Sequence, residues 1–371
     1  MIENVIVFED SSKAKFGGGQ RVTLDVMSIL TDYYDLVLVD CGQKSIFQEK
    51  ANKYIKDFFK LTCNGKVVGG NNSSFELGYI EIFLFPFLFI KNILSIIKYM
   101  KRNNYNSNNT IFYATTKKNL LLVYFLKKIL NVKCIYHAHS FDNKSSFFYK
   151  IIKIPLNNID KIICVSNLIK NNISLENCKT VYNSIDLIDI EPKNLMKKNK
   201  IIIATFSTLI KLKGIDYFMK SFEYLKHKEN VEYWIFGEGH EKDYLKQFES
   251  QSVILKGFTD NTNEIMKNNI DIIVVPSITE EACPMVPLEA FKYGIPVIST
   301  NIGGQSEIIR NGKVGYYVPI KDSKAIAKKI DYLIENVEIY NSLSKQCIEY
   351  SKKFSKEEYK KNINKIFEEI I

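Results

Sequence analysis

Two carboxylates eight residues apart are the most chemically specific feature of the sequence. Glu281 and Glu289 lie in the run DIIVVPSITEEACPMVPLEA, in which an apolar segment ends at Pro276–Ser277. We place Glu281 in a loop and Glu289 in the following helix, where a surface acid would not explain the apolar setting PLEAF. Carboxylates accept hydrogen bonds from vicinal hydroxyls, and free backbone N–H groups between the acids face a phosphate. The spacing therefore predicts a site for a polyhydroxylated, phosphorylated ligand.

Two of the four histidines lie together at the end of an apolar run, in IYHAHSF. Residues two apart in an extended segment share a face, so His137 and His139 point the same way. Asp142 is the only acid nearby, and we therefore predict no bound metal. His139 is a candidate general base or hydroxyl-binding group. A packed structural histidine is the alternative, and it applies more to His137 than to His139.

Two further loops carry groups that suit phosphates. Gly17, Gly18 and Gly19 stand between an apolar run and a helix predicted from about Gln20, and they offer backbone N–H groups. They do not form GxGxxG, so the fingerprint of nicotinamide binding is absent. Lys213 follows a second-half apolar run and can set an ammonium against a diphosphate. A flexible glycine loop and a solvated lysine are the alternative interpretations.

Length and composition predict a two-domain globular protein. The chain has 371 residues, of which 46% are hydrophobic and 25% charged, and such a length allows each domain its own core. The seven cysteines show no CxxC or CxxH spacing, so we expect no structural zinc and a reducing, cytoplasmic location. Residues 1–8 are apolar without a basic flank, which predicts no signal peptide.

Short apolar runs alternate with helix-length segments through most of the chain. Continuous apolar strands between helices predict buried parallel sheets. We expect two facing doubly wound, Rossmann-like α/β domains with a cleft between them, divided near the lysine-rich segment 191–200. Ligands bind such sheets at the carboxyl ends of the strands. The predicted strands are 5–8, 36–40, 110–115, 133–138, 161–166, 200–207, 231–237, 252–257, 271–277, 296–300 and 315–319, and the predicted helical segments include 214–227, 241–249, 289–293 and 322–336.

Basic residues are concentrated in the first half of the chain. Residues 1–190 hold 24 Lys and Arg against 16 Asp and Glu, and residues 82–141 hold nine basic residues and no acid. This favours an anionic partner such as a membrane surface or a lipid-linked diphosphate. A lysine-rich composition without functional meaning is the alternative, and no nucleic-acid motif is present. The apolar run 82–97 is too short and interrupted to span a bilayer, and we predict a surface or core helix that starts near Pro86.

The order of these motifs resembles the retaining glycosyltransferases of family 4, which have the GT-B fold. The resemblance extends over nearly the whole chain. It is carried by the E-x7-E run from Glu281 to Glu289, by Gly18–Gly19–Gln20–Arg21, His139, Val165–Ser166–Asn167, Asn183–Ser184–Ile185–Asp186, Phe236–Gly237–Glu238–Gly239, Gly294–Ile295–Pro296–Val297, Gly303–Gly304 with Glu307, Gly312 and Gly315.

The resemblance implies a role for each matching residue of the second half. Lys213 contacts the donor diphosphate, Glu289 the ribose and Glu281 the hydroxyls of the transferred sugar. Backbone N–H groups of the three residues after Cys283 face the sugar and diphosphate, and these residues are Pro284, Met285 and Val286. Gly237 matches the glycine motif after a second-domain strand, and Phe258 lies near the base.

The resemblance also assigns the first half and shows one departure. His139 lies beside the reacting sugar carbon, and Gly18 and Gly19 form an acceptor or phosphate loop. Family members usually have an arginine where this sequence has Thr208. A neutral hydroxyl thus stands where a cation stabilises the leaving phosphate, and Lys211 is the residue that can compensate.

These observations predict a retaining glycosyltransferase that moves a sugar from a nucleotide-diphosphate sugar to a hydroxyl of a glycan or lipid-linked acceptor. We expect it in cell-surface polysaccharide or lipooligosaccharide synthesis, at the inner face of the cell membrane, without metal or cofactor and without nucleic acid. The predicted domains are 1–192 for the acceptor and 193–354 for the donor, with a helix in 355–371 that packs back on the first. The alternatives are a non-catalytic GT-B partner or glycan-binding scaffold and a sugar-nucleotide epimerase.

Overall fold

The described residues form two compact units. The first comprises residues 1–181 and 360–371, and the second comprises residues 182–359. The division between the units falls at Val181–Tyr182, before the predicted boundary at 192–193. The reason is that the segment 182–193 forms hydrogen bonds with residues of the second unit. The Ile185 N–H donates to the Phe354 carbonyl and the Lys193 N–H to Ser344 Oγ. The computed structural model describes residues 2–11, 17–40, 45–62, 79–141, 144–145, 147–196 and 198–371.

A seven-stranded parallel sheet forms the centre of the first unit, in the order β3-β2-β1-β4-β5-β6-β7. The five strands predicted in this half are confirmed to within two residues. Strands β3 and β7 were missed because both are short edge strands, and β3 is largely exposed. The strands are β1 (Asn4–Glu9), β2 (Asp35–Asp40), β3 (Asp57–Lys60), β4 (Thr110–Ala114), β5 (Lys133–Ala138), β6 (Lys161–Cys164) and β7 (Cys178–Thr180).

Helices cover both faces of this sheet. Parallel crossovers are right-handed, so the strand order puts α1 and α2 on one face and α3, α4 and α5 on the other. The prediction that a helix starts near Pro86 is wrong: α3 begins at Tyr79, and one missing N–H is tolerated within its 24 residues. The helices are α1 (Gly18–Leu30), α2 (Ile46–Ala51), α3 (Tyr79–Arg102), α4 (Lys117–Leu130), α5 (Phe147–Asn157) and α6 (Asn167–Ile173).

None of the helices, as far as their residues are described, is both long enough and apolar enough to cross a bilayer. Helix α3 carries Lys91 and Lys98 among its apolar residues. Its exposed and buried positions alternate with the period of a helix that lies on a sheet.

The second unit has a six-stranded parallel sheet in the order β10-β9-β8-β11-β12-β13. All six strands predicted in this half are confirmed. The strands are β8 (Ile201–Phe206), β9 (Val231–Phe236), β10 (Val253–Gly257), β11 (Ile272–Val275), β12 (Val297–Thr300) and β13 (Gly315–Val318). The helices are α7 (Ile215–Ser221), α8 (Lys242–Leu245), α9 (Thr262–Asn268), α10 (Met285–Phe291), α11 (Gln305–Ile308), α12 (Ser323–Glu335) and α13 (Val337–Ser351). Short 3-10 turns occur at Lys211–Lys213, Phe222–Tyr224, Lys228–Asn230, Lys246–Phe248 and Lys352–Phe354.

The last helix, α14 (Lys356–Glu368), belongs to the first unit from Lys360 onward. Phe367 is fully buried there, with its ring 5.9 Å from that of Tyr34 and 6.0 Å from that of Tyr113. Ion pairs of Lys360 with Asp32 and of Glu369 with Lys161 lie around this contact. The apolar contact holds the segment because exposed ion pairs contribute little.

We expect Phe367→Ala to lower the free energy of unfolding of the first unit by about 3–5 kcal/mol, because it leaves a cavity beside two tyrosine rings. Hydrogen exchange of β1 and β4 amides, followed by mass spectrometry, measures this loss. Ile371→Ala is the matched control, since that side chain is 64% exposed. If the β4 amides of Phe367→Ala exchange at the same rate as those of the wild type, the helix does not stabilise the sheet.

Candidate functional site

The order of the second sheet creates a crevice at the carboxyl ends of β8 and β11. The chain moves outward from β8 through β9 to β10, and in the opposite direction from β11 to β13. Ligands of open α/β sheets bind where the direction reverses in this way. Lys213 follows β8 and Glu281 follows β11, and the Lys213 Nζ lies 2.9 Å from Glu281 Oε1. Two residues predicted separately thus form an ion pair at the reversal.

Glu281 is held by its neighbours as well as by Lys213. The buried Ser277 hydroxyl donates to the same Oε1 atom. The Gly304 N–H donates to the Glu281 carbonyl at 2.6 Å, and a Cβ on Gly303 would lie 2.6 Å from the Glu281 nitrogen. A side chain at this turn would push the loop away, so the glycines allow the turn after β12 to support the carboxylate.

Lys213 is positioned by an equally close approach of backbones. It ends the 3-10 turn Lys211–Lys213, and Gly214 follows with a positive φ of 62°. A Cβ on Gly214 would overlap the Pro276 carbonyl oxygen, and the Ile278 N–H donates to the Leu212 carbonyl at 3.0 Å. The loops after β8 and β11 are therefore held together by close backbone packing and by a backbone hydrogen bond beside the ion pair.

Helix α10 carries three of the predicted donor-binding positions. It begins at Met285, earlier than the predicted 289, and Glu289 is half-buried in its second turn. The first N–H groups of a helix have no acceptor within the helix, which leaves those of Met285 and Val286 for a ligand. The expectation for Pro284 is wrong on chemical grounds, because proline has no backbone N–H. Pro284 is the buried residue that precedes the helix.

The loops after β8, β9 and β10 carry the remaining donor-side residues. Gly237 has φ of 140°, and a Cβ there would overlap the Ser207 carbonyl oxygen. This glycine is therefore required for the packing of two loops. Thr208 and Phe258 are both exposed after β8 and β10, respectively. The Thr208 side chain is not part of the Lys213–Glu281 network.

In the first unit the glycine loop lies against His139. Gly18 and Gly19 are the first residues of α1, which begins two residues before the predicted Gln20. A Cβ on Gly19 would lie 3.8 Å from the His139 ring. Loop and histidine follow β1 and β5 at the same edge of the sheet, and the structure brings these predicted residues together.

The two histidines form a stack that a tyrosine anchors. The His137 and His139 rings are 4.1 Å apart, and Tyr113 Oη lies 2.6 Å from His137 Nδ1. Among the described residues, His139 Nε2 is buried and has no hydrogen-bond partner. Burial lowers the pKa of His139 to about 4 and holds the pKa of His137 well below its usual range. Both rings are therefore neutral at pH 7, as a proton acceptor must be.

Sequence reasoning missed several polar groups of these sites. Glu9 ends β1, and burial raises the pKa of its carboxyl to about 7. Thr23 and Thr115 hydroxyls donate to it at 3.0 and 2.7 Å, which ties α1 and the residue that follows β4 to β1. Gln305 is completely buried near the Gly304 turn, and its amide has no hydrogen-bond partner among the described residues. The position of Glu9 directly after the apolar run 5–8 could have marked it as a functional residue. Nothing in the local sequence marks Gln305.

No group of three or more histidine, cysteine, aspartate or glutamate side chains in the described part of the chain is arranged to hold a metal ion. The pair of Lys213 and Glu281 supplies one cation and one anion instead. The cation is a group that binds phosphate, and the anion is one that binds hydroxyls.

We expect the ring protons of His139 to keep constant NMR shifts from pH 8 to about pH 5 and to move only near its pKa of about 4. The free energy of unfolding should fall as pH drops from about 6.5, the ordinary pKa, toward 4, because only the unfolded chain takes up this proton in that range. His139→Gln assigns the signals and should lose the part of this pH dependence that His139 contributes, whereas His137, whose pKa is also lowered by burial, keeps its own part. Titration of His139 near pH 6.5 would contradict its burial.

The comparison with protein families agrees with this geometry. Residues 188–354 match the family described as glycosyl transferases group 1. An Escherichia coli protein named UDP-Gal:alpha-D-GlcNAc-diphosphoundecaprenol alpha-1,3-galactosyltransferase is 24% identical over 89% of this chain and 88% of its own length. An uncharacterized glycosyltransferase of Haemophilus influenzae is 27% identical over 95% of both chains.

Solved structures share the fold over the whole chain. The Anabaena protein HepE, crystallised with UDP, has a TM-score of 0.78 and 17% identity, with 99% of this chain and 100% of that chain covered. A glycosyltransferase from Rickettsia africae has a TM-score of 0.79 and 19% identity, with 100% and 98% covered. The two parallel sheets and these likenesses show that the chain has the GT-B fold, and its residues 188–354 match the group 1 glycosyltransferases.

Proposed function

We propose that the protein is a retaining glycosyltransferase that moves a sugar from a nucleotide-diphosphate sugar to a hydroxyl of a glycan or lipid-linked acceptor. The observation that carries the proposal is the Lys213–Glu281 ion pair at the reversal of the second sheet. It lies within the residues that match the glycosyltransferase family. A cation and an anion held at a fixed distance suit a ligand with both phosphates and hydroxyls.

In this proposal the second unit binds the donor. The Lys213 ammonium and the N–H groups of Met285 and Val286 bind the diphosphate, and Glu289 accepts hydrogen bonds from the ribose. Glu281 accepts hydrogen bonds from the transferred sugar. Lys213 is already positioned by Glu281, so little reorganisation accompanies the build-up of charge on the leaving phosphate. No metal and no cofactor take part in the proposed reaction.

The proposed chemistry proceeds on one face of the sugar. The bond from the anomeric carbon to the diphosphate oxygen breaks, and the acceptor oxygen bonds to the carbon on that same face. The acceptor proton passes to the leaving phosphate oxygen. His139 is neutral, and its role is to accept a hydrogen bond beside the reacting carbon. Configuration at that carbon is retained.

Relatives suggest the substrates and the location. The Escherichia coli relative is named for UDP-Gal and a diphosphoundecaprenol acceptor, and HepE was crystallised with UDP. We therefore propose a UDP-sugar donor, a lipid-linked diphosphate acceptor and a role in cell-surface polysaccharide or lipooligosaccharide synthesis. The proposed location is the cytoplasmic face of the membrane, where the excess of basic residues in the first 190 positions favours contact with anionic lipid.

One observation favours a second function, that of a non-catalytic partner subunit. Thr208 stands where the family pattern has an arginine, and its exposed hydroxyl carries no charge to offset the leaving phosphate. A scaffold of this kind would bind glycan or another transferase without turning over a donor. Measurements of donor binding and of donor turnover distinguish the transferase from the non-catalytic subunit.

UDP at about 100 times its dissociation constant should raise the free energy of unfolding by about 2.7 kcal/mol, since it binds only the folded protein. Lys213→Ala should weaken UDP binding roughly 10- to 100-fold, because it removes a charge-assisted hydrogen bond. Thermal unfolding with UDP, GDP, dTDP, ADP and CMP measures both effects. Lys226→Ala is the matched control, since Lys226 forms a 3.0 Å ion pair with Glu335 in the same unit. No shift with any nucleotide would support the scaffold.

Glu281→Gln should reduce turnover by about 10²-fold or more, because an amide cannot replace the charge that orients the sugar and Lys213. UDP binding should persist in this variant, since the diphosphate contacts remain. The assay measures UDP release from UDP-galactose and UDP-glucose with a GlcNAc-diphosphate lipid acceptor. Glu335→Gln is the control, and wild-type turnover in Glu281→Gln would remove Glu281 from the mechanism.

A further inference from the structure

A buried carboxyl group at the end of β1 has no part in the proposed reaction. Glu9 is 3% exposed, and it lies at the edge of the first sheet where the glycine loop and His139 also lie. Its Oε1 atom accepts a hydrogen bond from the Asp10 N–H at 3.1 Å. Its Oε2 atom accepts from the Thr23 and Thr115 hydroxyls at 3.0 and 2.7 Å. The carboxyl group is therefore enclosed by the protein, with three donors around it.

Each of the two threonine hydroxyls also reaches a backbone carbonyl oxygen. Thr23 Oγ1 lies 3.1 Å from the Gly19 carbonyl oxygen, and Thr115 Oγ1 lies 2.9 Å from that of Phe8. A hydroxyl has a single hydrogen, so it donates either to Glu9 or to its carbonyl. The Thr23 hydrogen is therefore shared between Glu9 and the glycine loop at the start of α1.

The hydrogen bonds around Glu9 determine where a proton binds. The hydroxyl oxygens that can accept a hydrogen bond from the neutral acid both face Oε2. A proton on Oε2 can donate to the Thr23 oxygen, which frees the Thr23 hydrogen for the Gly19 carbonyl. When Glu9 loses that proton, the Thr23 hydrogen returns to Oε2, and the Gly19 carbonyl loses the hydrogen bond. The charge of Glu9 and the hydrogen bonding of the glycine loop are thus coupled through one side chain.

Charged groups of β2 and α4 surround Glu9 without neutralising it. Asp40 ends β2, the strand beside β1, and its negative charge disfavours a second one nearby. Lys118 of α4 pairs with Asp10 at 2.6 Å, and Lys117 of α4 donates to a backbone carbonyl after β5. Burial and the charge of Asp40 outweigh the three hydrogen bonds and raise the pKa of Glu9 to about 7.

The charged groups of α1 and the histidines of β5 leave this balance unchanged. Arg21 and Asp25 each stand two residues from Thr23, so they project from other sides of α1. Burial lowers the pKa values of His137 and His139, and both rings are neutral at pH 7. Neither histidine therefore competes with Glu9 for a proton near pH 7.

We infer that Glu9 is a positioning residue that controls the binding of an anionic acceptor by exchanging one proton. In its neutral form Glu9 leaves the Thr23 hydrogen to the Gly19 carbonyl and places no charge beside the glycine loop. In its ionised form it withdraws that hydrogen bond and repels a phosphate at the loop. Binding of the acceptor diphosphate is therefore accompanied by uptake of a proton onto Glu9. The identity of the acceptor rests on the proposed function, whereas the exchange of the Thr23 hydrogen needs no substrate.

An NMR titration without substrate tests the exchange of the Thr23 hydrogen. The carboxyl carbon of Glu9 and the carbonyl carbon of Gly19 should titrate together, with one midpoint at about pH 7. Thr23→Val should remove the Gly19 titration while Glu9 still titrates, because valine has no hydroxyl. Glu3→Gln is the matched control, since Glu3 is an exposed acid at the opposite end of β1. A Glu9 midpoint near its ordinary pKa of 4.5, or a constant Gly19 signal while Glu9 titrates, would overturn the inference.

Calorimetry with a GlcNAc-diphosphate lipid acceptor tests the consequence for binding. At pH 7 the wild type should take up about half a proton per acceptor, measured from the binding heats in two buffers of different ionisation enthalpy. The acceptor should bind about tenfold more weakly at pH 8 than at pH 6. A diphosphate diester keeps its charge over this range, so the acceptor itself does not supply the effect.

Glu9→Gln carries an uncharged amide and should bind the acceptor without proton uptake and with the same affinity at both pH values. Loss of a merely structural contact would instead weaken binding at every pH and leave its pH dependence unchanged. Equal proton uptake by Glu9→Gln and the wild type, or pH-independent binding by the wild type, would overturn the role of Glu9.

Turnover separates this inference from the proposed function. If the wild type binds the acceptor and takes up the proton but releases no UDP from UDP-sugars, the transferase proposal fails and the role of Glu9 stands. If the wild type releases UDP but its Gly19 signal does not follow Glu9, the inference fails and the transferase proposal stands. The titration of the wild type requires no variant, so it decides the matter even if Glu9→Gln does not fold.

Discussion

The ion pair between Lys213 and Glu281 constrains the loops of the second unit. A lysine after β8 and a glutamate after β11 lie 2.9 Å apart only if the two loops touch. That contact requires glycine at position 214, where a Cβ would overlap the Pro276 carbonyl oxygen. It also requires Gly303 and Gly304 beneath Glu281. The glycines at positions 214, 303 and 304 therefore follow from the geometry of one charged pair.

The first unit is organised by buried polar groups that need partners. Tyr113 forms a hydrogen bond with His137, and the His137 ring stacks on that of His139. A tyrosine inside β4 thereby positions His139 at the edge of the sheet. Glu9 receives two threonine hydroxyls and thereby joins β1 to α1 and to the residue that follows β4. The Phe367 ring of α14 lies 6.0 Å from the Tyr113 ring. A buried polar group without a partner costs free energy, so these contacts specify one arrangement.

Charge is used differently in the two units. The first half of the chain carries an excess of basic residues, and many of its lysines are exposed beside apolar side chains of α3, α4 and α5. The second half is nearly balanced, with 27 basic and 25 acidic residues, and its key lysine is paired and three-quarters buried. A diffuse field suits a large anionic surface, whereas one fixed ammonium suits a single diphosphate.

The sequence by itself determined the fold class, because continuous apolar runs between helical segments indicate buried parallel strands. All eleven strands predicted from it are present, and edge strands β3 and β7 escaped because few of their residues are buried. It also singled out Lys213, Glu281 and His139 as chemical groups. Only the tertiary structure decided that Lys213 meets Glu281, that Tyr113 anchors the histidines and that Gln305 is buried. These contacts join residues far apart in the chain, and local pattern carries no information about which strand ends meet.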